Sequence, residues 1–210
     1  MRPLLASFRD LLACLLVSNW QVLLSFILEI FFEKARSAVS EEATAWSSIA
    51  ARVVRSVLAR KDVGYAQLSE GLAALGVVES ERGLASRVSR GRIKLSLLLQ
   101  IFEVTSAKVP PLWAQACALS GPWESRASAV CAAELSCNPI VTVEELARRM
   151  IVLGADLSEK TLVTHLRAGT ISLPEFLQSL VALNSRSLEG FVDFEDLVAV
   201  ARMTSVTSLS

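Results

Sequence analysis

The hydrophobic residues of this chain recur in short runs at helical spacing. Between Ser80 and Lys94, Leu84, Ala85 and Val88 stand at positions i, i+1 and i+4, so one face of a short helix can be buried while polar residues stay outside. Alternating apolar and polar runs bounded by hairpin signals do not occur. The pattern therefore predicts an all-α protein.

The same helical pattern occurs twice. A shift of 78 positions aligns Leu68–Glu103 with Leu146–Val181 and matches glycine, serine and glutamine positions as well as leucines. Matches at glycine, serine and glutamine carry more weight than leucine matches in a leucine-rich chain. A repeat of this kind indicates two copies of one domain of about 65 residues.

Each copy is predicted to form four short helices. Thr142 with Glu145, and Ser172 with Glu175, have the spacing of capping boxes, and Gly76 stands where a helix would end. The predicted second helices are Tyr65–Leu75 and Val143–Leu153. The third helices begin at Ser80 and Ser158 and end before Gly91 and Gly169, and the fourth begin at Ser96 and Ser172. One more amphipathic helix is predicted over Phe191–Met203.

These elements divide the chain into six parts. They are an apolar N-terminal helix (1–36), a linker (37–45), a first domain (46–108), a Pro-containing linker (109–122), a second domain (123–186), and a C-terminal helix with its tail (187–210). Residues 11–28 contain no charged side chain and are barely long enough to cross a hydrocarbon core of ~30 Å. Three interpretations of this segment stay open: a membrane anchor, an apolar helix packed on the protein or in a dimer, or an artefact of a translation start truly nearer Val39.

Charge is distributed unevenly between the two copies. The whole chain has 21 basic and 21 acidic residues, but residues 46–108 have ten basic and five acidic, whereas residues 123–186 have six and seven. Within Ser80–Lys94, five basic residues accompany one acid. Only the first copy therefore has the electrostatic character expected of a polyanion binder.

Residues for catalysis or metal binding are sparse. His165 is the one histidine, and the four cysteines contain no C-x-x-C pair. Gly-rich phosphate loops are absent, and no nucleophile stands beside a base in any familiar spacing. We predict a non-enzymatic protein without cofactor or metal. Its thiols are expected to be reduced, as in the cytoplasm, and Cys131 and Cys137 are expected to be small buried hydrophobes.

The segment YAQLSEGLAALGVVESERGLASRVSRGRIKLSLLLQIFE resembles the helix-turn-helix of phage-repressor-type regulators, with VVES inserted after Gly76. The chain is more closely similar to a bacterial family of small domains of unknown function, number 6471 in that series. Trp46, Gly64–Leu68, Gly76 and Arg87–Gly91 stand at the positions of that family's pattern. The second copy matches it in degenerate form through Val143–Leu146 and Leu166–Gly169.

The resemblance implies two tandem four-helix, helix-turn-helix-like domains. The resemblance to repressor-type regulators, and not the one to family 6471, implies that the third helix of the first copy contacts DNA. Arg82, Ser86, Arg87 and Arg90 would do so on the helix, and Arg92 and Lys94 just beyond it. The predicted function is DNA binding, with transcriptional regulation as one form of it. The alternative is a protein-interaction module assembled through the Leu-rich fourth helices. Predicted partners are DNA, a second copy of the chain, and the inner membrane through residues 11–28, to which a cytoplasmic protein would be tethered.

Overall fold

The computed structural model describes residues 45–207, and within this range the chain is all-helical, as predicted. The apolar segment 11–28 lies outside the described residues. Helix α1 covers residues 45–61. The further elements are α2 (Tyr65–Ala74), α3 (Glu81–Ser89), α4 (Leu95–Thr105), a 3-10 turn (Pro111–Trp113), α5 (Ala114–Cys117), α6 (Trp123–Ser136), α7 (Val143–Val152), α8 (Glu159–Ala168), α9 (Leu173–Ala182) and α10 (Phe194–Thr207).

The predicted repeat is present in the backbone. Helices α1–α4 form the first copy and α6–α9 form the second. Residues 78 positions apart adopt the same left-handed conformation at the helix ends. These pairs are Gly76 and Gly154 (φ 86° and 84°), Gly91 and Gly169 (63° and 66°), and Ser106 and Asn184 (48° and 52°). Equivalent positions therefore end equivalent helices.

Local hydrogen bonds explain where the helices begin and end. After α2, the N–H of Val77 donates to the Leu72 carbonyl and that of Gly76 to the Ala73 carbonyl, which is a Schellman motif. Helix α9 has the predicted capping box, with Glu175 N–H donating to Ser172 Oγ at 3.3 Å and Ser172 N–H donating to Glu175 Oε2 at 2.9 Å. The box predicted at Thr142 is only half made, because the Glu145 carboxylate pairs with Arg149 instead.

The fourth helices lie in the core of residues 45–207. Every residue of α4 from Leu95 to Phe102 is buried, and so is every residue of α9 from Phe176 to Leu180. The residues that lead into the two helices pair in an antiparallel bridge, with the N–H of Leu95 donating to the Ile171 carbonyl at 3.1 Å and that of Leu173 donating to the Ile93 carbonyl at 2.7 Å. We call residues 93–95 and 171–173 the central bridge.

The connector between the copies is part of the core. Trp113 is fully buried, with its ring centroid 6.3 Å from that of Phe102 in the first copy and 5.5 Å from that of Phe176 in the second. Its indole N–H donates to Glu134 Oε1 at 2.5 Å, and Ser185 Oγ donates to the other carboxylate oxygen at 2.6 Å. Trp113 thereby packs against both copies and donates a hydrogen bond to a buried carboxylate.

The C-terminal helix α10 contacts both copies. Asp196 pairs with Arg52 of α1 at 2.6 Å, and Thr204 Oγ1 donates to the Leu153 carbonyl at the end of α7 at 3.0 Å. The helix begins at Phe194, three residues later than predicted, because Phe191 instead packs in the preceding loop with its ring centroid 5.1 Å from that of Phe102.

Among residues 45–207, none of the helices has the length and apolar character needed to span a membrane.

The described cysteines differ in burial. Cys131 is buried, as predicted, and this burial raises the pKa of its thiol to about 12. Cys117 is half-buried, and burial raises its pKa as well. The prediction that Cys137 is buried was wrong, because this residue follows the last turn of α6 and is exposed.

We expect a thiol reagent at pH 8 to modify Cys137 in seconds to minutes and Cys131 only when the protein unfolds, since the thiolate is the reactive form. Because the folded protein holds the Cys131 proton to higher pH than the unfolded chain, this group's contribution to stability is complete below its ordinary pKa of 9.0 and is lost as pH rises towards about 12. Mass spectrometry of peptides after timed labelling measures both rates. Equal labelling of the two residues in the native protein would contradict the burial of Cys131.

Candidate nucleic-acid interface

Helix α3 has one buried face and one exposed face. Leu84 and Val88 are fully buried against the core of the first copy. Arg82 and Ser86 each stand two residues from Leu84, which places them on the far side of a helix that turns ~100° per residue. Ser89 continues the same line and is exposed. We call Arg82, Ser86 and Ser89 the α3 face.

Six residues separate α2 from α3, more than the usual three or four of a helix-turn-helix. Specific contacts fix the conformation of the residues between α2 and α3. Ser69 Oγ of α2 donates to the Glu79 carbonyl at 2.6 Å, and the Glu79 carboxylate lies 3.0 Å from Arg87 Nη2 of α3. The Ser80 hydroxyl accepts from the Gly83 N–H at 3.1 Å and caps α3. The inserted residues therefore connect both helices through hydrogen bonds and an ion pair.

Arg87 differs from the other predicted site residues. Its side chain is 41% exposed, but its charge is matched by Glu79, whose side chain is only 18% exposed. It stands on the flank of α3 rather than on the α3 face. Arg87 is thus placed to hold the turn against the helix, while the remaining arginines are not engaged in this way.

The backbone turns sharply after α3 because Gly91 adopts φ +63° and lies against the start of α1. Arg90, Arg92 and Lys94 project from this turn and are all exposed. Within the part of the chain that the structure describes, neither Arg82 nor any of these three residues makes an ion pair. We call Arg90, Arg92 and Lys94 the basic turn.

The equivalent surface of the second copy is nearly without free charge. Ala168, Thr170 and Ser172 replace the three residues of the basic turn. Arg167 at the end of α8 is paired with Glu144 of α7 at 2.6 Å. The Glu144 carboxyl has a lowered pKa, first because its own backbone N–H at the start of α7 donates to it and then because Arg167 is close.

Further carboxylates neutralise α7 of the second copy. Glu145 pairs with Arg149 at 2.9 Å and with Arg148 at 3.0 Å, and its pKa is lowered chiefly by the hydrogen bond from Arg149. Thr164 turns its hydroxyl inward and donates to the Lys160 carbonyl at 2.8 Å. His165 of α8 is half-buried, and its Nδ1 has no hydrogen-bond partner among the described residues.

Two residues that shape the site are not recognisable from the sequence pattern. Ser69 and Glu79 fix the turn before α3, but the second copy has Ala147 and Leu157 at the equivalent positions, so the repeat does not point to them. Glu79 also stands eight residues before its partner Arg87, across a turn of undefined geometry. Only the folded structure shows that the two side chains meet.

The comparison with family models identifies the repeat. The model described as Domain of unknown function (DUF6471) matches residues 46–109 and again residues 123–188. No curated protein and no solved structure matches the chain. Of the residues described, no group of three or more histidine, cysteine, aspartate or glutamate side chains is arranged to hold a metal ion. Since the two matches together cover more than half of its length, the chain belongs to the DUF6471 family, in two tandem copies.

Proposed function

We propose that this chain is a non-enzymatic DNA-binding protein of the helix-turn-helix type, and that α3 of the first copy enters the major groove. The observation that carries the proposal is the set of cations on and just after α3 that form no ion pair with any described residue. Arg82 lies on the exposed side of a helix whose opposite side is buried, and the basic turn follows directly. Transcriptional regulation is the role that such binding would serve.

The positions of these residues suit some of them to contacts with bases and others to contacts with phosphates. Arg82 and Ser86 stand along the exposed side of α3, where side chains reach base edges when a helix lies in the major groove. An arginine fork matches guanine O6 and N7. Arg92 and Lys94, beyond the helix, are suited to phosphates, which position a protein on DNA without reading its sequence. Arg87, held by Glu79, would stabilise the turn that orients α3.

The contrast between the copies supports this assignment. Both copies share the fold, so the leucines, glycines and caps that they share are explained by folding. The arginines of the basic turn do not recur, and the basic residues of α7 and the end of α8 are paired with carboxylates. Of the two equivalent surfaces, the one around α3 therefore has more unpaired positive charge among the described residues than the one around α8.

The alternative was a protein-interaction module assembled through the fourth helices. In the structure the Leu-rich part of α4, Leu95–Phe102, is buried within the chain, where it packs near α9 of the second copy. That surface is already used to join the two copies. No specific observation favours it as an interface with another protein.

We expect the double substitution Arg82→Ala with Arg90→Ala to weaken binding to duplex DNA by roughly 30-fold or more, because each arginine that touches DNA contributes about 1–3 kcal/mol. The slope of log K against log salt should become shallower by about 1 for each phosphate that is no longer neutralised. Fluorescence anisotropy over a salt series, with genomic fragments as ligand, measures both quantities.

The matched control is Arg148→Ala with Arg149→Ala. It removes the same formal charge, but from cations already paired with Glu145, so binding should change by less than about 3-fold. Circular dichroism verifies that both variants are folded. Loss of binding to the same extent in the control would show an unspecific charge effect, and no binding of the unmodified protein at low salt would overturn the proposal.

We also propose that residues 11–28 tether the protein to the inner membrane, with the DNA-binding part in the cytoplasm. The support is the eighteen-residue run without a charged side chain. Fractionation of cells that make the full chain, compared with cells that make a chain starting at Val39, provides the test. The full chain should sediment with membranes and the shorter one should not. If both stay in the supernatant, the tether does not exist.

A further inference from the structure

The central bridge relates the two copies by a local two-fold axis. Lys94 stands directly opposite Ser172, and these residues are equivalent in the repeat. The two flanking hydrogen bonds are reciprocal, because Leu95 donates to Ile171 and its equivalent Leu173 donates to Ile93. An antiparallel pair centred on equivalent residues has a two-fold axis through its centre.

This axis also relates α3 to α8. Each helix is joined to its half of the central bridge by the same left-handed glycine turn, through Gly91 in one copy and Gly169 in the other. Both glycines lie against the first helix of their own copy, at Ser47 and at Glu124. A rotation leaves the component of any direction along its axis unchanged. The exposed sides of α3 and α8 therefore have equal components along this axis, which is what two helices need in order to face one duplex from the same side of the protein.

The two related surfaces nevertheless differ in chemistry. Among residues 45–207, Arg82 and the basic turn form no ion pair on the first surface. The second surface has Lys160 followed by neutral residues and by Arg167, which Glu144 neutralises. In two-fold dimers the symmetry of the protein is mirrored by a palindromic DNA site with two equal half-sites. In this chain, the α3 surface and the α8 surface cannot make equal contacts with two half-sites.

The surface formed by the fourth helices and the central bridge is occupied within the chain. The central bridge and the buried residues of α4 and α9 already hold the first copy to the second. A second chain cannot use them without displacing the first chain's own partner. A single chain therefore already has the two-lobed arrangement that two-fold dimers obtain from two chains.

From this geometry we propose that one chain binds one DNA site, and that this site is not palindromic. The first copy specifies one half-site through α3, and the second copy contributes few contacts to the adjoining DNA. The ligand is thus a DNA duplex in which the protein reads the base sequence of one half-site only. This inference rests on the proposed DNA-binding function and specifies the form of the DNA that is bound.

The first test selects binding sequences for the full chain from a random duplex pool and determines the stoichiometry by native mass spectrometry. We expect one short motif without an inverted repeat, and one chain per duplex. Substitution Lys160→Ala should weaken binding by less than about 3-fold, compared with roughly 10-fold or more for Arg82→Ala. An inverted repeat or two chains per duplex, with the Arg82 dependence retained, would overturn the inference and leave the DNA-binding function intact.

The second test makes the two surfaces more alike. Ala168→Arg with Thr170→Arg places cations at the equivalents of Arg90 and Arg92. If α3 and α8 face one duplex, this variant should bind a duplex that continues past the motif to α8 roughly 10-fold more tightly than a duplex cut to the motif alone. Equal affinity for the two duplexes would show that α8 does not face the same DNA and would overturn the inference. Absence of any binding by the unmodified chain would remove the proposed function and this inference together.

Discussion

Trp113→Ala is expected to lower the free energy of unfolding by about 4 kcal/mol or more. A buried tryptophan replaced by alanine costs about 3–5 kcal/mol through lost burial and the remaining cavity. Here the loss of the indole N–H also leaves the Glu134 carboxylate, which is 1% exposed, without the donor on Oε1. Small proteins have only about 5–15 kcal/mol of stability, so most of it is at risk.

Urea denaturation followed by circular dichroism measures this loss. Trp123→Ala is the matched control, because Trp123 is only half-buried, with the guanidinium of Arg126 4.1 Å from its ring centroid. This control should lose about 1 kcal/mol. Similar losses for the two tryptophans would contradict the role of Trp113 as the element that joins the copies.

Gly91→Ala is expected to lower stability by roughly 3 kcal/mol. The backbone at this residue has φ +63°, which costs a residue with a side chain about 1–2 kcal/mol. In addition, a Cβ here would overlap the carbonyl oxygen of Ser47 and lie 2.5 Å from its Cα. Because the obstacle is the backbone of α1 rather than a flexible side chain, relief requires that α1 and the turn after α3 separate, with the cost typical of overpacking.

Gly76→Ala separates the two contributions. Gly76 also has a positive φ, +86°, but a Cβ there would meet nothing within 4 Å, so only the conformational cost of about 1–2 kcal/mol should appear. Gly169→Ala in the second copy should behave like Gly91→Ala, since its Cβ would overlap Glu124 O and lie 2.6 Å from Ser128 N. A loss at Gly91 no larger than that at Gly76 would show that the approach to Ser47 is unimportant.

Features with a local cause were predictable from the sequence. The N-caps at Ser80, Ser158 and Ser172 lie where predicted, because a serine before an apolar run offers its oxygen to the first unpaired N–H groups. The glycine turns that end α2, α3, α7 and α8 also have a local cause, because glycine adopts a positive φ without a steric penalty. Helix α4 starts one residue earlier than expected, at Leu95, since the central bridge already orders the preceding residues.

Features that depend on distant contacts were not predictable. Nothing near Trp113 in the chain indicates that its indole would meet Glu134, 21 residues away, or that Ser185 would complete the pair. The same holds for the candidate interface. The sequence indicates which residues of α3 are basic, but it does not show that Arg87 is paired with Glu79 while Arg82 and Arg90 are not. Pairing depends on tertiary distances, and the second copy, with Leu157 in place of Glu79, provides no guide.

The covalent connection between the copies has a consequence for how the two halves of the central bridge can vary. In a dimer of identical chains, each substitution appears in both halves, and dilution separates the subunits. In this chain the second half is always present at a high effective concentration, so the pair does not dissociate on dilution. Each half can also change on its own. A carboxylate can neutralise Arg167 in the second copy without any effect on Arg82 in the first. The second copy can therefore stabilise the first without having the same surface charge.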